Sequence, residues 1–263
     1  MANKALLVGI NAYPSAPLAG CLSDISTMAD VITSKFGFED SEVRLLADGR
    51  ATTDSIVERL QWLVTGLSAG DRCYFHFSGH GIQVATRDFT NEVDGLDECI
   101  CPFDFDWSAE HMINDKFFVS IFSKIPPGVK FNWSSDSCHS GDLTRDLDKL
   151  VKIPRTIPVP VDLAWRKRVA KDKKIQVNRE MITGQLNVGF ISACQSSQTA
   201  SDTVLMGNNC GAFTYFFSKE LKKAAKTTPL TTVVDETKKQ LAKAGFKQVP
   251  QVEGSRSTKP FLG

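Results

Sequence analysis

Short apolar blocks alternate with polar stretches of helical spacing along most of the chain. Residues 4–10 (KALLVGI), 42–46 (EVRLL), 73–77 (CYFHF), 129–135 (VKFNWSS) and 187–193 (NVGFISA) are strand-sized runs. Between them, Leu22, Ile25, Met28, Ala29 and Ile32 predict a helix over 19–36, with Gly37 as its stop. Ile56, Leu60 and Leu63 share the face of a second helix that Thr52 or Thr53 can cap and that Gly66 and Gly70 break. A third helix over 117–124 ends at Pro126-Pro127-Gly128. Residues 212–223 and 232–244 predict two amphipathic helices, the second closed by Gly245, and residues 250–253 suit an edge strand. Residues 82–116 are rich in carboxylates and poor in periodicity, which predicts a loop with a short hairpin around 98–102. Residues 144–182 have the same lack of pattern and predict a linker. Strands alternating with helices imply an α/β fold with parallel pairing and helices on both faces.

Composition changes this picture little. A hydrophobic share of 42% and a charged share of 23% describe an ordinary globular protein. The longest apolar runs are strand-sized, so none can span a membrane, and the first ten residues lack the core and cleavage site of a signal peptide. A cytoplasmic location is therefore expected. Seven cysteines without a secretory leader argue against a disulfide framework, and the spacing of Cys99 and Cys101 is a poor zinc chelate. The net charge of +1 is uneven: residues 149–179 hold ten Lys/Arg and two Asp, a local +8, which leaves about −7 elsewhere. That basic stretch has one aromatic residue, Trp165, and no recognisable nucleic-acid motif, so a solvated linker accounts for it better than nucleic-acid binding.

The chemistry concentrates at two strand exits. Asp136-Ser137-Cys138-His139-Ser140-Gly141 follows one apolar run, and Ser78-Gly79-His80-Gly81 follows another. Open α/β sheets place their chemistry at the carboxyl ends of strands. A thiol is only a few per cent ionised at neutral pH and needs a base close in space. Cys138 is the candidate nucleophile and His80, flanked by two glycines that admit a substrate, the candidate base. His139 is a poorer base, because neighbouring side chains at a strand end point apart. His76 lies inside a strand, and His111 lies in the acidic loop. Backbone N–H groups of Gly81 or Gly79 and of Cys138 are candidate donors to an oxyanion.

These segments resemble those of caspase-type cysteine peptidases, and more closely type I metacaspases and the prokaryotic orthocaspases. Leu6 to Tyr13 resembles the family's opening strand, Gly20-Cys21-Leu22-Ser23-Asp24 its Gly-Cys-x-Asn-Asp turn, and Phe77 to Gly81 its histidine motif. Asp94-Gly95-Leu96-Asp97-Glu98, the Cys138 segment, and Ser192 to Asp202 match further motifs in family order. The resemblance implies an αβα sandwich around a mostly parallel, six-stranded sheet within a single peptidase domain. Residues 1–145 would form a large-subunit-like region, 146–183 a basic linker and 184–263 a small-subunit-like region.

The resemblance also implies an endopeptidase that cuts protein or peptide substrates after Arg or Lys. Positions matching Cys21, Asp24, Ser78 and Asp136 would form the pocket for that cationic side chain, a demand that paired carboxylates suit. No cofactor is required for the chemistry. Calcium is the expected activator, on Asp94, Asp115, Asp142 and Asp146, with Asn114-Asp115 standing where the family has a pair of aspartates. The linker offers many Arg and Lys bonds for self-cleavage, and a monomer is expected. Two other readings compete: a catalytically silent interaction module, which would be expected to lack the Cys or the His that this chain keeps, and a basic-loop nucleic-acid binder, whose retention would fall with salt.

Overall fold

A computed structural model describes residues 1–85, 96–138, 152–164, 186–195 and 198–263. Its centre is a six-stranded sheet, built from β1 (Asn3–Gly9), β2 (Val43–Ala47), β3 (Arg72–Ser78), β7 (Lys130–Asp136), β9 (Val188–Ser192) and β12 (Gln251–Glu253). The spatial order is β12-β9-β7-β3-β1-β2. Every neighbouring pair is parallel except β12 with β9. The strands expected from the apolar runs are all present, within a residue or two of their expected ends.

Alternation along each strand sorts side chains to opposite faces of the sheet. On β1, Leu6 and Val8 join one core with Phe75, Phe77 and Phe131. That core is covered by Ile56, Leu60 and Leu63 of α2 (Thr53–Val64) and by Phe118 and Phe122 of α3 (Asp115–Phe122). Ala5 and Leu7 face the other core, under Ile25, Met28 and Ile32 of α1 (Cys21–Ser34). Phe213, Phe217, Val233 and Val234 complete it from α4 (Ala212–Lys223) and α5 (Leu230–Lys243). Both faces are therefore covered, which is why β1 is buried from Ala5 to Gly9 and β3 from Cys73 to Ser78.

The helix caps follow local chemistry. Thr52 accepts from the Ser55 amide at the start of α2. Asn114 accepts from the Phe117 amide at 3.0 Å, so the Asn114-Asp115 pair opens α3.

Two small antiparallel sheets complete the fold, and the first of them takes in the hairpin expected around 98–102. β4 (Gly81–Ala85) pairs antiparallel with β5 (Leu96–Ile100), and β5 with β6 (Ile113–Asn114), so an ordered hairpin begins immediately after His80. The second sheet joins β10 (Ser201–Leu205) to β11 (Asn208–Gly211) through a tight turn at Met206 and Gly207, both with positive φ. Its third strand is β8 (Lys152–Pro154), from the stretch expected to be linker, antiparallel to β10.

Candidate active site

Ser78 and Asp136 end adjacent parallel strands and are directly paired in register. His80 and Cys138 each follow two residues later, so the sheet delivers both to its carboxyl edge. Asp24 reaches the same place from the first turn of α1. Asp202 reaches it from β10, although its type and spacing carried no site expectation.

The side chain of Arg155, one residue beyond β8, fills the space between them and is fully buried. Its Nη2 donates to Asp24 Oδ2 at 2.7 Å and to Asp202 Oδ1 at 2.9 Å. Its Nη1 donates to Ser78 Oγ at 2.7 Å and to the Asp136 carbonyl at 3.0 Å, and lies 3.3 Å from Asp136 Oδ1. Three carboxylates thus surround one guanidinium. Stripping water from an ion costs several kcal/mol, which only close, well-bonded partners repay. Burial works against the Arg155 charge, but Asp136, Cys21, Asp24 and Asp202 overcome it and hold the guanidinium well above its usual range. Burial also lifts the Asp24 carboxyl to about 6; Arg155 pulls it down and Asp136 pushes it up.

The carboxylates are themselves held in place. Asp136 Oδ2 accepts from the Thr214 amide and hydroxyl at 2.9 and 2.7 Å. Asp24 Oδ1 accepts from the Gly211 amide at 2.9 Å. Asp202 accepts from the amides of Ala19 and Gly20. Gly211 is needed for close approach: a Cβ there would lie 2.2 Å from Asp136 Oδ2 and 2.7 Å from Arg155 Nη1. The Cys21 thiol lies against Ser78 and Arg155, and burial pushes it up to about 12.

The main chain of Arg155 is held as firmly as its side chain. The carbonyl oxygen accepts from the Gly81 amide at 3.1 Å and the Cys138 amide at 3.3 Å. The Arg155 amide donates to the Ala200 carbonyl at 3.2 Å. Two of the three expected oxyanion donors therefore converge on one carbonyl. The third, the Gly79 amide, is directed at the Asp136 carbonyl at 3.4 Å instead. Gly79 serves another purpose: a Cβ there would lie 2.5 Å from the Tyr13 hydroxyl.

Tyr13 and the carbonyl of Ala16 orient His80. The Tyr13 hydroxyl accepts from the His80 amide at 3.1 Å, donates to the Cys101 carbonyl at 2.8 Å, and the two rings are 4.5 Å apart. His80 Nε2 lies 2.6 Å from the Ala16 carbonyl, so Nε2 carries the proton and the buried Nδ1 is the basic nitrogen. Burial lowers the His80 pKa to about 4, against the pull of the Ala16 and Arg155 carbonyls. The Cys138 thiol is buried and donates to the Ala200 carbonyl at 3.3 Å. Burial, and then Cys194, keep it well above its usual range. Thiol and imidazole are both neutral in this state.

Other expected residues stand apart from the site. His76 is fully buried on β3, with Nδ1 2.7 Å from Ser134 Oγ. His111 lies near the surface, 3.0 Å from Asp106. Asp115 accepts from the Lys116 amide in the first turn of α3. Asp94, His139, Asp142 and Asp146 lie outside the described residues. Among the described residues, no three His, Cys, Asp or Glu side chains group as metal ligands.

A family model described as metacaspase, peptidase C14 domain, matches residues 3–148. Metacaspase-2 of Trypanosoma brucei brucei is 30% identical over 270 residues, covering 97% of this chain and 73% of that protein. Metacaspase-1 of Meyerozyma guilliermondii is 28% identical, covering 96% and 69%. Metacaspase-1 of Arabidopsis thaliana is also 28% identical, covering 92% and 65%. Among solved structures, a Geobacter sulfurreducens protein superposes with a TM-score of 0.71 at 24% identity, covering 99% of this chain and 98% of that one. Caspase-1 from Spodoptera frugiperda gives 0.62 at 11% identity, covering 99% and 89%, a likeness of fold.

Proposed function

The chain belongs to the metacaspase family of C14 cysteine endopeptidases, and from that premise we propose that it cleaves after arginine or lysine through Cys138 and His80, and that the bond between Arg155 and Thr156 of its own linker is one of its substrates. One observation carries this reading. The Arg155 side chain lies among three carboxylates while its carbonyl accepts from two amides, one of them that of Cys138. A peptide about to be cut needs both contacts at once: a filled specificity pocket and a polarised carbonyl.

The Cys138 thiol leaves the Ala200 carbonyl and gives its proton to His80 Nδ1, and the sulfur adds to the Arg155 carbonyl carbon. The amides of Gly81 and Cys138 stabilise the resulting oxyanion. The carbon–nitrogen bond to Thr156 breaks as the His80 proton passes to the departing nitrogen, leaving a thioester and a new amino terminus. Water then adds to the thioester with His80 as base, releasing the Arg155 carboxylate and the thiol.

An acidic substrate side chain would meet Asp24, Asp136 and Asp202 without a counter-charge. A panel of fluorogenic peptides with Arg, Lys or Asp before the scissile bond tests the specificity. Arg and Lys peptides should be cut, Asp peptides should not, and Cys138→Ala should be inert. Cleavage of the Asp peptide, or undiminished turnover by Cys138→Ala, refutes the proposal. Running the panel with and without calcium shows whether Asp94, Asp115, Asp142 and Asp146 act as an activating site.

A further inference from the structure

The segment that delivers Arg155 is an ordered strand, and each of its residues meets a different surface. β8 pairs antiparallel with β10 in the register Pro154 opposite Ser201, Ile153 opposite Asp202 and Lys152 opposite Thr203. A substrate laid in by strand addition takes its affinity from the main chain and its selectivity from alternate side-chain pockets. Pro154 has no N–H to place, so that position asks nothing of a donor. The Ile153 side chain is exposed.

Lys152 behaves differently. Its ammonium donates to the Gly245 carbonyl at 3.1 Å and lies 5.2 Å from the centre of the Phe246 ring. Gly245 follows the last turn of α5 with a φ of +85°, and the carbonyls at a helix carboxyl end carry partial negative charge. Phe246 is buried against Ala212 and Leu241, so its ring is a fixed platform. An ammonium over such a ring, and at such a terminus, is favoured by both. Lys243 and Lys247 flank this turn in sequence, so attraction comes from the carbonyl and ring at close range and not from an acidic surface.

We propose that the substrate cleft extends to a second cation-binding subsite, formed by the Gly245 carbonyl and the Phe246 ring, which takes a lysine or arginine three residues before the scissile arginine. The proposal rests on the peptidase reading above for the position of the cut, and it adds the class of sequence preferred: basic–any–any–arginine, with proline accepted next to the arginine.

The test uses the full chain carrying Cys138→Ala, Lys152→Ala and Arg155→Ala, which removes turnover and both side chains that occupy the cleft. Binding of the labelled hexapeptide Lys-Ile-Pro-Arg-Thr-Ile and of its Ala-Ile-Pro-Arg and Glu-Ile-Pro-Arg counterparts is measured by fluorescence polarisation, and cleavage of the bond after arginine in the same peptides by the chain carrying Lys152→Ala and Arg155→Ala in parallel. Lys-Ile-Pro-Arg should bind about 3- to 10-fold more tightly than Glu-Ile-Pro-Arg. Phe246→Leu, which keeps the apolar packing and removes the ring, should erase most of that difference. Equal binding and equal cutting of the three peptides overturns the subsite and leaves the peptidase reading intact. Lysine-selective binding without any cutting refutes the peptidase reading and leaves the subsite. No binding of any peptide overturns both.

Discussion

At the scale of single residues, the pocket around Arg155 has more negative charge than one guanidinium needs. Asp24 and Asp202 meet the same nitrogen, Nη2, from two different elements. Asp202→Asn removes one charge and keeps an oxygen for the amides of Ala19 and Gly20. Truncating one partner of a buried, hydrogen-bonded ion pair is costly, so kcat/KM toward an Arg peptide should fall about 100-fold. A fall of less than about threefold in steady-state kinetics would place the third carboxylate outside recognition. Cys138, His80, Asp24, Asp136 and Ser78 are legible as candidates in the sequence because they sit in short motifs, four of them at strand ends and Asp24 at the start of α1. Asp202 closes the motif that begins at Ser192 but carried no site role, because nothing local shows that its carboxylate turns toward Arg155. The Ala16 carbonyl and Tyr13 hydroxyl are equally silent, since only folding shows that they meet His80.

At the scale of elements, the parallel strands were legible, while of the small antiparallel sheets only the hairpin around 98–102 was. The central strands each carry an apolar block, such as Ala5–Val8 in β1 and Tyr74 to Phe77 around His76 in β3, whereas β10 and β11 mix Asp202, Thr203 and Asn208 with few apolar residues and are held by their partners. β8 hides in a basic stretch and takes its conformation from β10. The pairing of β3 with β7 has a pH signature. Burial lowers the His76 pKa from 6.5 to about 3, with the nearby Arg155 charge acting the same way and its bond to Ser134 opposing. The folded form refuses a proton that the unfolded chain accepts, so this contribution is complete above about pH 6.5 and is lost as pH falls from there toward 3. Between pH 7 and pH 5 the loss is about 2 kcal/mol. Asp24, raised to about 6, acts in the opposite sense, so the informative quantity is the difference between wild type and His76→Gln. Urea unfolding at the two pH values should show a smaller acid loss in the variant; identical losses would contradict the assignment.

At the scale of the whole molecule, the acidic pocket that holds Arg155 is assembled across the chain. Asp24, Ser78 and Asp136 precede the linker, Arg155 belongs to it, and Asp202 and Gly211 follow it. The linker segment is therefore both a connection and an occupant of the cleft. While Arg155 is seated, an external peptide has to displace it, and the thiol rests on Ala200 and not on His80. The central claim is that this occupant is also a substrate. Mass spectrometry of the purified chain after incubation tests it most directly. A cut that ends one fragment at residue 155 and begins another at 156 is expected in the wild type, with this bond left whole in Cys138→Ala and in Arg155→Gln. A wild-type chain that stays whole, or a cut at this bond that survives Cys138→Ala, would contradict it.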